Sequence, residues 1–442
     1  MNLEIGEKID QMGDSMEAEL VHFRRDFHRH PEVGWMEMRT SAIIAKELSA
    51  LGYQVLIGKE VCREEERMGI PDKEDLQAHR KQIEELSCEG ESYEITREME
   101  EGFTGVIGTL FCGKGPTIAF RFDIDALPMQ EVLAEEHRPY REGFASIYPG
   151  MMHACGHDCH IAIGLGTAKI LSELRESLHG TVKLLFQPAE EGTRGAYSMV
   201  KAGHLEGVDY FAGAHVSVPF TEEEEDLVPG SYGALATYKY KVIFHGLSAH
   251  AGRTPQEGKN AVLAAAHAAV GLSGIARHSD GMSRINVGSI HGGSGSNVVP
   301  DEAVLTMEVR GETTQINEYM SQRAIQICQG AAMMEGCTCE MKKMGQAPSQ
   351  KSDIEMTEKI AEICERYFPQ YKVSSCHQGK NRDSEDVGFM MNRVQEQGGQ
   401  AVYMRLVTKM ASPQHTVLFD VDESVLKKGV KIFSAIAAEL LK

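Results

Sequence analysis

The chain has 442 residues, 42% hydrophobic and 25% charged, a globular composition long enough for two domains. Its 65 acidic and 45 basic residues give a formal charge of −20, which argues against nucleic-acid or anionic-membrane partners, since both need a basic face. An acidic substrate would have to be captured by local cations against that field.

The ten cysteines form neither a CxxC…CxxC zinc pattern nor a small disulfide framework, so reduced thiols are expected. The first 20 residues lack a basic segment followed by an apolar run, and no apolar stretch approaches the ~20 residues of a membrane span. A soluble, cytoplasmic protein is the expectation.

Residues 15–51 read as helix punctuated at His30-Pro31, with Ile43, Ile44 and Leu48 at helical spacing. The segment 58–102 is charged and poor in large apolar residues, and reads as a helical surface insertion without visible chemistry. Strand-like runs at 104–110 and 117–122 follow, then a helix at 161–174 and an apolar strand at 182–186. This alternation predicts an α/β layer on a mixed, mostly parallel sheet. In such sheets, sites form beyond the carboxyl ends of strands, where the polar residues after Phe122 and Phe186 stand. A further run at 210–214 leads into His215. The acidic run 222–226 reads as a solvated loop.

From Ala236 the pattern changes. Strand 238–244, an Ala-rich helix 260–275, strands 284–290 and 304–309, helix 316–334 and a strand near 338–343 give βαββαβ, the ferredoxin-like split plan. The expected architecture is a catalytic domain from 1–231 and 346–442 with an inserted domain at 232–345. A helix at 423–441 ends the chain.

Chemistry concentrates in three clusters. His153-Ala154-Cys155-Gly156-His157-Asp158-Cys159-His160 holds three histidines, two cysteines and an aspartate. Imidazole and thiolate suit borderline metals such as zinc, and that density outweighs a plain polar helix start. Asp158 could instead orient a ring nitrogen. Glu190 and Glu191 follow the apolar strand; adjacent residues in extended chain point opposite ways, so one could bind metal while the other serves as base. Alone, the pair reads more simply as a solvated turn. Asp123 and Asp125 alternate at a strand end and could orient imidazoles, although capping acids would look the same. His215, His415, His250 in Ser248-Ala249-His250-Ala251-Gly252, and the Gly-rich stretch 292–297 complete the candidates.

Together these segments resemble the metal-dependent aminoacylase and carboxypeptidase family, in its auxin-conjugate and hippurate hydrolase branch. The likeness runs in order through RRDFHRHPEVGWMEMRT (24–40), DIDALPM (123–129), MHACGHDCH (152–160), FQPAEEGTRG (186–195), GLSAHAGRTP (246–255), GSGSNVVP (293–300) and SEDVG (384–388). It departs at Gln414-His415-Thr416, where relatives tend to have His-Asn. The resemblance implies two divalent ions, manganese or zinc, held by Cys155 as bridging thiolate with His157, Glu191, His215 and His415. It makes Glu190 the general base and Asp125 an acid behind the ligands. His250 would polarise the scissile carbonyl, possibly across a dimer interface, while Asn297 and Arg310 would bind substrate, Arg310 through its carboxylate. The inserted domain becomes a lid and dimerisation unit in a homodimer or a hetero-oligomer with a homologous subunit. The expected reaction is hydrolysis of p-aminobenzoyl-glutamate or a related N-acyl amino acid. A broader N-acyl-amino-acid amidohydrolase or dipeptidase, or a non-catalytic partner subunit, are the alternatives; the intact ligand and base set speaks against the last.

Overall fold

A computed structural model describes residues 3–86, 93–219, 224–380 and 383–442. Part of the acidic run 222–226, and residues 87–92 of the charged insertion, lie outside the described residues. In chain order the first strands are β1 (Gln54–Ile57), β2 (Val106–Phe111), β3 (Thr117–Asp123), β4 (Thr181–Gln187), β5 (Tyr210–Ser217) and β6 (Leu227–Val228). Next come β7 (Gly230–Ala234), β8 (Ala236–His245), β9 (Ser283–Gly292), β10 (Glu302–Gly311) and β11 (Thr338–Ala347). The last are β12 (Gln350–Lys351), β13 (Gln378–Lys380) and β14 (Gln400–Val407).

The main sheet has the order β1-β2-β4-β3-β5-β14-β6. Its four central strands, β4, β3, β5 and β14, are mutually parallel. The outer pairings are antiparallel, so only β2 and β6 run against the common direction. Being buried on both faces, the central strands read as nearly continuous apolar runs.

The helix predicted at 161–174 starts earlier and spans His157–Glu173. Gly156 precedes it with φ 94°, and a Cβ there would stand 2.3 Å from Val216, so only glycine lets the helix begin this close to β5. Fourteen of its residues are buried, because it lies between the sheet and the helices Glu17–Arg29 and Ser424–Leu440.

Packing draws two polar segments onto the core, one of them against expectation. The polar N-terminus forms a helix, Leu3–Ser15, because Ile5, Ile9 and Met12 make one stripe on the core. Lys431 pairs there with Asp10 (2.7 Å) and Asp14 (2.9 Å). The charged insertion is not merely surface: Leu76 and Ile83 of its helix Lys73–Leu86 join Met36, Met38, Met99 and Tyr148 in a small core. Its backbone also touches the chain just after the glutamate pair, since Gly69 O accepts from Arg194 (2.9 Å).

A second sheet, β11-β8-β10-β9, is wholly antiparallel. With helices Ala261–Ser273 and Thr314–Met334 it makes the βαββαβ unit read from the sequence. Residues Tyr240, Val242 and Phe244 of β8 and Leu305, Met307 and Val309 of β10 form its apolar core. Lys239, Glu308 and Arg310 therefore lie on the opposite face. A small sheet, β12-β7-β13, stands where the two parts join. No helix among the described residues is long and apolar enough to cross a membrane, and all nine described cysteines are free.

The aromatic contacts of Phe433 with Phe120 and Phe122, both 5.1 Å between ring centroids, fasten the C-terminal helix to β3. Phe433→Ala is expected to cost ~3–5 kcal/mol, read as a lower denaturant midpoint in chemical unfolding.

Candidate active site

The site is built at the carboxyl ends of β3, β4 and β5. Cys155, His157 and Glu191 present Sγ, ring nitrogen and carboxylate oxygen within 4.8 Å of one another. His157 donates Nδ1–H to the carbonyl of Asp125 (2.8 Å), with the Asp125 carboxylate 3.3 Å away. Its Nε2 is buried with no hydrogen-bond partner. His215 donates Nδ1–H to Val216 O (2.7 Å) and turns Nε2 to Cys155 Sγ (3.4 Å). Both rings are thus held in the tautomer that aims an Nε2 lone pair at the thiol, as metal-ligating histidines require. A buried, partnerless imidazole nitrogen beside a thiol and a carboxylate fits a divalent cation and leaves an uncompensated polar atom without one.

Asp123, His157, His160 and His215 form a second tight group, but donor chemistry divides it. His160 donates Nδ1–H to Asp123, and its Nε2 accepts from Val216 N–H (3.0 Å). No lone pair of that ring is free to ligate, so His160 holds β5 in place instead. Asp158 also faces elsewhere, pairing with His28 (2.8 Å) and Arg24 (2.9 Å), so it orients neither ligand ring. His153 is fully buried outside the ligand group, and burial pushes its pKa down to about 3.

The glutamate pair is not extended chain. Glu190–Thr193 form a tight turn in which Ala189 (φ 51°) and Thr193 (φ 62°) are left-handed, a conformation that costs ~1–3 kcal/mol per residue and needs outside support. Asp125 supplies it, accepting from Glu190 N (3.0 Å) and Glu191 N (2.9 Å). Glu37 accepts from Ala189 N (2.8 Å), and its carboxyl is pushed up to about 8 by burial and then by Asp125. Both glutamate side chains consequently line one cavity of about 460 Å³, rather than opposite faces of a strand.

Burial, and then Glu385 and Glu191, push the Glu190 carboxyl well above its usual range. Glu191 is held low: burial acts against this, but His415 and His157 outweigh it. His415 Nε2 lies 3.3 Å from Glu191 Oε1, and its own left-handed backbone (φ 60°) is anchored by N–H donation to Ala154 O (2.7 Å). The Gln-His-Thr segment therefore does bring its histidine to the site, with Gln414 donating to Cys155 O and Val216 O (both 3.3 Å). Burial, then Glu191, push the Cys155 thiol up; adjacent divalent cations would act oppositely.

Arg310 reaches the cavity from the second sheet and pairs with Glu308 (3.1 and 3.2 Å). His250 and Asn297 do not line this cavity. They share the far end of that sheet, where Ala251 N donates to Asn297 O (3.0 Å) and the His250 ring accepts from Gly252 N (3.1 Å). Nine residue steps of β8, roughly 30 Å of strand, separate that end from Ala236.

Glu385, Arg405 and Lys239 also line the cavity, and sequence reasoning gave them no role. Glu385 stood in the SEDVG segment. The signal for Arg405 was a lone arginine inside the apolar strand β14. Lys239 had none, since alternate polar residues mark any two-faced strand.

A fold of this kind, with a buried Cys/His/Glu cluster and a glutamate turn, defines a metal-dependent hydrolase of amide bonds. The chain belongs to peptidase family M20/M25/M40, whose profile matches residues 119–439. It is 44% identical to a p-aminobenzoyl-glutamate hydrolase subunit of Escherichia coli (strain K12) over 98% of each chain. It is 43% identical to indole-3-acetyl-aspartic acid hydrolase of Enterobacter agglomerans over 95% of each. The crystal structure of aminobenzoyl-glutamate utilization protein from Klebsiella pneumoniae superposes with TM-score 0.82 at 36% identity, covering 98% of both chains.

The tautomer assignment separates two neighbouring histidines. His157→Asn is expected to lower bound divalent metal measured by elemental analysis, whereas His160→Asn should retain it while lowering thermal stability.

Proposed function

We propose that this chain hydrolyses the amide bond of p-aminobenzoyl-glutamate or a closely related N-acyl amino acid, releasing the amino acid. The observation that carries the reading is the joining of two groups in one cavity: the Cys155, His157, Glu191 cluster with Glu190, and the cation Arg310 facing it. Two relatives similar over their full lengths carry names for hydrolases of N-acyl acidic amino acids.

Cys155, His157, Glu191, His215 and His415 are the residues that would hold two divalent ions, manganese or zinc, a mixed N, O and S donor set that both accept. Bound there, the ions supply charge that acidifies a water and offsets the developing oxyanion. Glu190 takes the proton of the attacking water and returns it to the leaving nitrogen, a task for which its place in the cavity beside Glu191 and Cys155 suits it. Asp125 keeps both glutamates and His157 in register. Arg310 exchanges Glu308 for the substrate α-carboxylate, giving a charge-assisted contact.

His250 would donate to the carbonyl oxygen and Asn297 would assist binding, both from the lid of another chain. Their position at the far end of the second sheet supports this, since strand length keeps them from their own cavity. The 232–345 unit is thus a lid and a dimerisation domain. The other chain is a second copy or a homologous subunit, the latter suggested by a relative whose name marks it as one part of a larger hydrolase.

Two experiments test these roles. Glu190→Gln should keep its metal and lose turnover by at least ~10²-fold, while Glu191→Gln should lose metal; equal metal loss in both would overturn the division of labour. His250→Ala and Glu190→Gln chains, each inactive, should recover activity when unfolded and refolded together if a second copy supplies His250. Recovery only with a homologous subunit would identify the partner as that subunit.

A further inference from the structure

The cavity carries more positive charge than one carboxylate requires. On the face of the second sheet that looks into it, Arg310 pairs in register with Thr237, and Glu308 with Lys239. Lys239 is therefore a diagonal neighbour of Arg310, about 7 Å away in a sheet. The two cations differ in their partners. Arg310 is already held by Glu308 (3.1 Å), whereas the Lys239 side chain makes no hydrogen bond or ion pair with any described residue while lining the cavity. Burial lowers its pKa, with Glu190 and Glu308 acting the other way. A partly desolvated ammonium with acidic neighbours but no direct hydrogen-bonded anion is costly, and it borders the cavity.

We infer that Lys239 is a specificity-determining residue that binds the side-chain carboxylate of the substrate's amino-acid half, restricting the site to N-acyl derivatives of acidic amino acids. This rests on the reading of the site as an N-acyl-amino-acid hydrolase with Arg310 on the α-carboxylate. Two carboxylates on one short amino acid then meet two cations on adjacent strands. A lysine suits the further carboxylate: its ammonium is a point charge on a flexible stem, tolerant of side-chain length, whereas the planar guanidinium fixes the orientation of the nearer one. Selection works against a neutral amino acid as well, because a glutamine or norvaline side chain would leave the ammonium partly desolvated and without a direct anion.

The test compares p-aminobenzoyl-glutamate with p-aminobenzoyl-glutamine on metal-loaded wild-type, Lys239→Met and Lys239→Arg proteins. Wild type should favour the acid in kcat/KM by roughly ten- to a hundred-fold, the worth of one charged hydrogen bond. Lys239→Met should lose that factor on the acid, mainly in KM, and change by less than about threefold on the amide; Lys239→Arg should keep most of the preference. No preference in wild type, or equal losses on both compounds in Lys239→Met, overturns the assignment. If wild type hydrolyses neither compound, the hydrolase reading fails instead, and the assignment is decided by calorimetric binding of L-glutamate against L-glutamine. Tighter glutamate binding that disappears in Lys239→Met supports it, and indifference to either change overturns it.

Discussion

Arg121 carries a guanidinium with no exposure to solvent, and the groups around it offset the cost of removing that charge from water. It reaches Gln187 (2.8 Å), Asp123 and Asp386 (3.3 Å). Through Asp123 it fixes His160 and so the backbone of β5; through Asp386 it fixes Gly195 N (3.2 Å) and Ala196 N (3.0 Å), just past the glutamate turn. One buried charge thereby ties together the ends of β3 and β4, the helix that begins at His157 and the chain around Asp386. The candidate ligands hang from these same ends, so their geometry depends on that network being complete.

A second buried network steadies the other side of the helix. Arg24 pairs with Asp158 and Asp420 (both 2.9 Å), and His28 bridges Asp158 to Glu131 (3.1 Å). Asp158 stays ionised well below the usual carboxylate range because Arg24 and His28 outweigh its burial. The first turn of helix His157–Glu173 is thus gripped on one face by Asp123 and on the other by Arg24. Rigid support of this sort is what lets two histidines hold their lone pairs toward one point. The glutamate turn obeys the same logic: its left-handed residues are tolerated because Asp125 and Glu37 bind the strained backbone, and the strain places two carboxylates in one cavity.

The second sheet relates to the site differently. Its near end delivers Arg310 and Lys239 to the cavity across two strands, while its far end presents His250 and Asn297 away from it. One element thus supplies charge to its own site and, on the proposed reading, a donor to another. The acidic bulk of the protein and the cationic wall of the cavity are compatible because salt screens the field beyond about 8 Å, leaving short-range contacts to decide capture.

By itself the sequence determined the alternation that makes the α/β sheet, the βαββαβ insertion, and the dense candidate cluster around Cys155 and His157, since period and ligand density are local properties of a chain; Glu190 and Glu191 stood out only through the family resemblance. His415 was pointed to only by that resemblance, and the fold sets its ring 3.3 Å from Glu191. Tertiary structure alone decided the rest. That His160 and Asp158 are supports and not ligands depends on which lone pairs β5, Arg24 and His28 occupy. That the glutamates sit in a turn and not in extended chain depends on Asp125 and Glu37, distant in sequence. That Lys239 stands diagonal to Arg310 depends on strand register. Each of these is fixed by what lies across a hydrogen bond or a ladder from residues far away along the chain, and no local pattern encodes that.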